Sequence, residues 1–233
     1  MRILTIALSL LSCQYADAHY VFSKLSHNGG PLSAPWQYIR NVTDGWAYSP
    51  TNGYTGDFVP YYDMYDANIR CGRGAARSGP GTQTLTVNAG DELAFFPTIR
   101  DQYSNEEKDT DISHEGPGQA YLSKAGDAEG ELEAYEGDGD WFKIGSIIAK
   151  NETRWALLSA ASYSYRFNNT QFYVNCAHID VKGPGGGNPG PMAKFPGAYD
   201  VWDNAIWAPY HVAELKPWNL TGYVAPGPAV WSA

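Results

Sequence analysis

The sequence contains little cysteine, methionine and histidine, with 3, 3 and 5 residues among 233. Its strongly hydrophobic run at residues 3–11 is much shorter than the roughly 20 residues that a helix needs to cross a bilayer. Basic residues are outnumbered, since 16 Lys and Arg stand against 25 Asp and Glu, for a net charge of -9. The short hydrophobic run argues against a membrane-spanning protein. The shortage of basic residues argues against nucleic-acid binding, which needs a basic patch.

The amino end has the pattern of a secretory signal. Arg2 provides a short basic region, residues 3–11 provide an apolar region, and Ala16-Asp17-Ala18 supplies the small residues that a signal peptidase reads. Cleavage after this triplet would make His19 the first residue of the mature chain. A cut one or two residues away is the alternative.

The predicted secretion determines whether the cysteines are expected as a disulfide or as free thiols. Cys13 leaves with the signal peptide, residues 1–18, whereas Cys71 and Cys176 remain in 19–233, which is long enough for one all-β domain. In an oxidising compartment the default is a disulfide between the two, and a pair of free buried thiols is the alternative. We expect a secreted, extracellular protein, monomeric and not attached to a membrane. Sequons mark candidate glycosylation sites at Asn41, Asn151, Asn168 and Asn219.

Short alternating segments, without a convincing helix or an internal repeat, indicate an all-β fold. Residues 82–87 and 92–96 flank a turn at 88–91 and predict a hairpin. Further strands are predicted at 118–124, 141–148 and, most strongly, 171–181. Long loops rich in Gly, Asp, Asn and Tyr separate these segments. The pattern is typical of an antiparallel β-sandwich of the immunoglobulin or fibronectin III type.

The segment 183–191, rich in glycine and proline, suggests a linker to a second module. Only about forty residues follow it and they contain no cysteine pair, so we expect a C-terminal extension that wraps back onto the sandwich. Aromatic residues are abundant, with 8 Trp, 17 Tyr and 8 Phe. They either fill an ordinary β-sheet core or include an exposed flat surface suited to stacking on sugars.

His19 gains a chemical meaning if it is the first residue of the mature chain. An N-terminal histidine offers its α-amine and one ring nitrogen, which together can chelate a metal ion. A third nitrogen from another histidine would complete a planar set, and tetragonal nitrogen sites favour Cu(II). The alternative is a disordered terminal residue.

The other candidate site residues are weak signals when taken singly. His114 lies in a loop just before a predicted strand, which suits either a ligand or an ordinary surface histidine. Gln171 and Tyr173 share one face of their predicted strand, so they either face a metal or simply pack. His178 lies on the opposite, apolar face of that strand and is interpreted as structural. Two further histidines lie in loop-like contexts without a partner motif, namely His27 and His211.

Short motifs follow one another from His19 to the C-terminus. They are His19-Tyr20-Val21-Phe22, Trp36 to Arg40, Ile69-Arg70-Cys71, His114 to Lys124, Trp141 to Ile144, Gln171 to Ala177, Phe195 to Tyr199 and Pro226 to Trp231. In this order they resemble the fungal lytic polysaccharide monooxygenases of auxiliary activity family 9, formerly filed as a glycoside hydrolase family. Each motif is modest alone, but the complete series with a histidine at the cleavage point is specific.

The resemblance implies a copper enzyme. His19 and His114 would form a histidine brace around one copper ion, Tyr173 would be the distant axial ligand, and Gln171 would position the bound oxygen species. The implied reaction is the oxidative cleavage of a β-1,4-glucan, cellulose in particular, at C1 or C4. It requires an external electron donor and O2 or H2O2. The family's disulfide positions match Cys71 and Cys176.

One part of the family's pattern is missing before the Gln-x-Tyr segment. Members carry there a Pro-Gly turn, another strand and a histidine that acts on the oxygen species, whereas residues 151–161 here are too short and contain no histidine. Ser159 falls near the place of that histidine. Either a piece is missing from the sequence through a gene-model error, or the chain is a real variant that binds copper and turns over poorly.

The missing histidine leaves a second function open, that of a secreted copper- or glucan-binding protein that is impaired or not catalytic. Both functions predict copper at His19 and His114, but only the monooxygenase predicts oxidised cello-oligosaccharides. A hydrolase ranks third, because no motif singles out the pair of carboxylates that a glycosidase needs.

Overall fold

The computed structural model describes residues 19–44, 58–100, 106–112, 114, 116–151, 154–155, 170–203, 205–206, 220 and 222–232. Within these residues the strands are β1 (Val21–His27), β2 (Leu85–Asn88), β3 (Leu93–Arg100), β4 (Glu107–Asp109), β5 (Gly118–Ser123), β6 (Trp141–Ile147), β7 (Ala149–Asn151), β8 (Arg154–Trp155), β9 (Ile179–Lys182) and β10 (Met192–Ala193). Helical structure in this part of the chain amounts to 3-10 turns at Ala67–Ile69 and Ala75–Arg77 and one short α-helix, α1 (Glu131–Ala134). None of its helices is long and apolar enough to cross a membrane.

The β-sandwich is built from small sheets of two or three strands. One sheet has the order β1-β3-β4 and another β10-β6-β5, and both are antiparallel. β2 and β9 form a parallel pair, and β7 and β8 an antiparallel pair. The all-β sandwich predicted from the sequence is confirmed, and the parallel pair is an exception to its otherwise antiparallel pattern.

The predicted hairpin across residues 88–91 is wrong. The turn exists, since the Asp91 amide donates to the Asn88 carbonyl at 3.0 Å, but β2 pairs with β9 and β3 pairs with β1. The far side of the turn is tied to the end of β1, because Asn28 Oδ1 accepts from the Glu92 amide at 2.8 Å. The turn therefore carries the chain from one sheet to another, and alternation within each strand cannot distinguish this from a hairpin.

The other strand predictions had mixed outcomes. The strands predicted at 118–124 and 141–148 are confirmed within one residue. In the segment 171–181 only the end is a regular strand, β9, whereas Phe172 and Ala177 make isolated bridges to Tyr61 and Ile39. Each part of this segment thus pairs with a different partner. The backbone is extended, which explains the alternating pattern, but among the described residues it does not pair with one strand along its whole length.

Buried side chains form two hydrophobic clusters. The first contains Val21, Val42, Phe58, Cys71 and Ala75, and the second contains Met64, Ile69, Phe195 and Tyr199. Cys176 packs against the first cluster, and Phe172 and Val174 pack against the second. The segment 172–176 therefore lies between the two halves of the core.

The C-terminal stretch lies against β6. The Trp231 amide donates to the Lys143 carbonyl at 2.8 Å, and the buried Lys143 Nζ donates to the Pro226 carbonyl at 2.8 Å. This is the arrangement expected of an extension that wraps back onto the sandwich.

Candidate functional site

His19 lies two residues before β1, and the anchoring of that strand determines its position. Val21 pairs with Thr98 of β3, and the Phe22 amide donates to Asn175 Oδ1 at 2.9 Å. Tyr20 is buried, with 5 % of its surface exposed, while His19 is half-buried. The strand start is thus held both in its sheet and against the segment that contains Asn175, which places His19 at the edge of the sandwich.

His114, between β4 and β5, lies beside His19. The ring centroids are 6.3 Å apart and the ring planes are inclined by 48°. Both ring nitrogens of His114 are buried. The two candidate ligands, separated by 95 positions in the sequence, therefore come together at one place.

Tyr173 lies on a segment that is anchored on both sides. Phe172 and Tyr61 exchange two backbone hydrogen bonds, of 2.9 and 2.8 Å. Three residues after Tyr173, Cys176 is bonded to Cys71, which confirms the predicted disulfide. The Tyr173 ring lies 5.3 Å from that of His114, with the planes inclined by 25°.

Gln171 connects Tyr173 to the protein surface. The Tyr173 hydroxyl donates to Gln171 Oε1 at 3.0 Å, and Gln171 Nε2 donates to the Tyr62 hydroxyl at 3.2 Å. The predicted pairing of Gln171 and Tyr173 on one side of the chain is confirmed. Tyr62 is 38 % exposed, so this chain of hydrogen bonds ends at the molecular surface.

The electrostatic surroundings favour the uncharged form of His19. Burial, together with the nearby His114, lowers the pKa of the His19 imidazole from 6.5 to about 4. A proton on either ring would repel a proton on the other in this partly desolvated place. A neutral imidazole is the form that donates its lone pair to a metal ion.

The donor set fits a single metal ion. Two imidazoles that bind opposite sides of one ion, each through a nitrogen at about 2 Å, have ring centroids about 6 Å apart. The observed separation of His19 and His114 is 6.3 Å. Nitrogen donors of this kind suit Cu, Ni and Zn rather than Mg or Ca. Among the described residues, no group of three or more His, Cys, Asp or Glu side chains gathers elsewhere to hold a metal.

The remaining histidines lie away from this site or outside the described residues. His27 Nε2 lies 2.8 Å from Asp91 Oδ2 at the end of β1. His178 is 1 % exposed, and its Nε2 accepts from Arg40 Nε at 2.8 Å, which confirms its structural interpretation. His211 falls outside the described residues.

The predicted glycosylation sites differ in what the structure describes. Asn41 is exposed, directly before the buried Val42. Asn151 ends β7. Asn168 and Asn219 lie outside the described residues, as does the predicted signal peptide, 1–18.

Two residues of the site were missed by sequence reasoning. Tyr20 stacks on Tyr173 with ring centroids 4.1 Å apart and planes inclined by 8°. Its signal in the sequence was its place beside His19. Tyr62 reaches the site because Tyr61 pairs with Phe172, a contact between distant segments that no local pattern indicates.

Comparisons with known proteins agree with this arrangement. Residues 19–168 match Auxiliary Activity family 9, formerly GH61. The chain is 35 % identical to AA9 family lytic polysaccharide monooxygenase U of Thermothielavioides terrestris and 32 % identical to monooxygenase C of Emericella nidulans, each match covering 93 % of both chains.

Solved structures show the same fold. HiLPMO9B matches with a TM-score of 0.62 and 23 % identity over 92 % of this chain and all of that one. A structure described as a cellulose-active polysaccharide monooxygenase from M. thermophila matches with a TM-score of 0.56 and 19 % identity, over 91 % of this chain and 98 % of that one. The fold is therefore that of the polysaccharide monooxygenases. With the sequence matches above, the chain belongs to Auxiliary Activity family 9, the family of lytic polysaccharide monooxygenases.

Proposed function

We propose that this protein is a secreted copper-dependent monooxygenase that cleaves β-1,4-glucan, cellulose in particular, by oxidation at C1 or C4. The observation that carries the proposal is the pairing of His19 and His114 at 6.3 Å, next to Tyr173. His19 directly follows the predicted signal peptide, so cleavage there would add its α-amine to the two imidazoles as a third nitrogen donor.

In this proposal each residue of the site has a separate task. His19 and His114 would hold the copper ion, and Tyr173 would lie beside it. Copper, when bound, supplies the redox chemistry that uses an external electron donor and O2 or H2O2. Gln171 accepts the Tyr173 hydroxyl proton in a hydrogen bond and fixes the direction of that phenol, while its own amide group is held by Tyr62.

Exposed aromatic rings, one of which contacts Gln171, support a polysaccharide substrate. Tyr62 bonds Gln171, Tyr65 is 57 % exposed and accepts from the Val201 amide at 3.1 Å, and the adjacent Trp202 is 67 % exposed. Aromatic rings have apolar faces that suit the apolar faces of glucose rings. We refer to Tyr62, Tyr65 and Trp202 as the aromatic strip and assign it to glucan binding.

A second candidate is a copper- and glucan-binding protein with impaired catalysis. The alignment with the Thermothielavioides relative runs over 247 positions, whereas 93 % of this chain is about 217 residues, so about 30 positions of the alignment have no counterpart here. This agrees with the shortened region at 151–161, which lacks the family's histidine. The two candidates share the copper site and the aromatic strip and differ only in turnover.

Product analysis separates the two candidates. The mature protein, loaded with copper and supplied with ascorbate and O2 or H2O2, is incubated with cellulose, and the soluble products are read by mass spectrometry. The monooxygenase predicts oxidised cello-oligosaccharides that disappear in His114→Ala. Copper binding without oxidised products would support the impaired protein, and the absence of both would contradict the proposal.

A further inference from the structure

We infer that Tyr20 is a positioning residue that forms the copper site in advance, by holding the rings of Tyr173 and His114 in place. The inference rests on the proposed function and assigns a role to a residue outside the ligand set. It begins from three aromatic rings that lie almost parallel.

The three rings form a cluster in which each ring contacts the other two. Tyr20 and Tyr173 lie face to face, with centroids 4.1 Å apart and planes inclined by 8°. His114 lies 5.3 Å from Tyr173 at 25° and 6.4 Å from Tyr20 at 29°. Stacked pairs at such distances attract each other beyond the simple burial of their surface. Tyr20 thus contacts the rings of both proposed ligands, Tyr173 and His114.

Tyr20 is itself fixed by the sandwich, so it can impose a position on its neighbours. It is 5 % exposed, and its ring meets the Phe22 ring edge to face at 5.5 Å. The next residue, Val21, is paired in the sheet with Thr98. Because Tyr20 also adjoins His19, its burial opposes the fraying that is usual at a chain terminus.

Tyr20 and Tyr173 also meet at a small cavity. Tyr20 and Tyr173 both border a cavity of about 20 Å³, which is also lined by Pro60, Arg73 and Asn175. A gap offers no atoms for dispersion contacts on that side of the rings. The contacts of Tyr173 include the face of Tyr20 and the hydrogen bond of its hydroxyl to Gln171.

The test compares Tyr20→Leu, which removes the aromatic face, with Tyr20→Phe, which keeps it. Phe195→Leu is the matched control, since Phe195 is a buried aromatic residue of the second cluster with 7 % exposure. Tyr20→Met serves where the leucine variant does not fold, because its flexible side chain fills irregular space. Three quantities are measured: Cu(II) affinity by calorimetric titration, the electron paramagnetic resonance spectrum of bound Cu(II), and the melting temperature of the metal-free protein.

We expect Tyr20→Leu to bind Cu(II) about fivefold more weakly, with an altered spectrum, because a loss of about 1 kcal/mol of ring stacking corresponds to that change in affinity. Tyr20→Phe should stay within about twofold of the wild type, and Phe195→Leu should lose melting temperature without a change in affinity or spectrum. Wild-type affinity and spectrum in Tyr20→Leu or Tyr20→Met would overturn the inference alone. If neither the wild type nor Phe195→Leu binds Cu(II), both the inference and the proposed function are overturned.

Discussion

At the scale of single residues, the contact with the buried Arg40 determines the protonation state of His178. Arg40 is 3 % exposed, and its guanidinium donates to His178 Nε2 and to the backbone carbonyls of Ala76 and Leu132. Accepting from Arg40 requires a lone pair on Nε2, so His178 is neutral. Burial, reinforced by Arg40, lowers the pKa of His178 to about 4.

This pair predicts a loss of stability in mild acid. The unfolded chain takes up a proton on this histidine below about pH 6.5, but the folded protein does so only near pH 4, so the contribution is complete above pH 6.5 and is lost as the pH falls through 4. His178→Gln should therefore be less stable at pH 7 and lose less stability between pH 7 and pH 4.5, by up to about 3 kcal/mol. Urea unfolding at both pH values measures this, and parallel losses in the variant and the wild type would contradict it.

Sequence reasoning identified residues when their chemistry was local. The signal-like pattern singled out His19, and alternation placed Gln171 beside Tyr173 and His178 on the other face. Tyr20 and Tyr62 could not be identified in this way, because their roles come from contacts with a segment about 110 to 150 positions away. Contacts over such a sequence separation become visible only in the three-dimensional structure.

At the scale of elements, the segment 171–177 determines the site without being a regular strand. It bridges to Tyr61 at one end and to Ile39 at the other. The disulfide from Cys176 to Cys71 closes over a sequence separation of 105 residues. Long closed loops restrict the unfolded chain strongly, so the disulfide stabilises the fold that carries Tyr173.

Replacing Cys71 and Cys176 by alanine should lower the free energy of unfolding by about 3 to 5 kcal/mol, because the unfolded chain regains the freedom that the closed loop removes. Because the segment also carries Tyr173, copper affinity should fall in the same variant. Denaturant unfolding and copper titration measure the two effects. A loss below about 1 kcal/mol with unchanged affinity would show that the backbone pairing with Tyr61 suffices.

Strand partners were harder to predict than strands. The turn at 88–91 and the flanking strands were visible in the sequence, yet β2 and β3 belong to different pairs. Alternation reveals which face of a strand is buried and gives no information about the neighbour that covers its edge. The parallel pairing of β2 with β9, about 94 positions away, is a contact of that kind.

At the scale of the whole molecule, the exposed rings of the aromatic strip form the face that we assign to glucan binding. Its members come from the loop after residue 58 and from the C-terminal part, so the wrapping extension helps to build it. The fold class and the disulfide were predictable, since regular short strands and a pair of cysteines after a signal-like pattern leave few alternatives. The face itself was not, because exposure of an aromatic residue depends on the packing of distant segments.

Trp202→Ala and Tyr65→Ala should each weaken adsorption to cellulose about 3- to 10-fold, which corresponds to the loss of one stacked ring. Val224→Ala is the matched control, because Val224 is 76 % exposed and has no flat face. Copper affinity should remain unchanged in all three variants. Adsorption isotherms on cellulose measure the effect, and equal losses in the Val224 variant would contradict a specific role of the rings.

The most direct measurement of the central claim is copper titration of the chain that begins at His19, compared with His114→Ala and with a chain that carries one extra glycine before His19. We predict one Cu(II) per chain in the first, and an affinity at least about 100-fold weaker in each of the others, since each loses one nitrogen donor of the site. Equal affinity in all three proteins would contradict a copper site built from the terminal amine, His19 and His114.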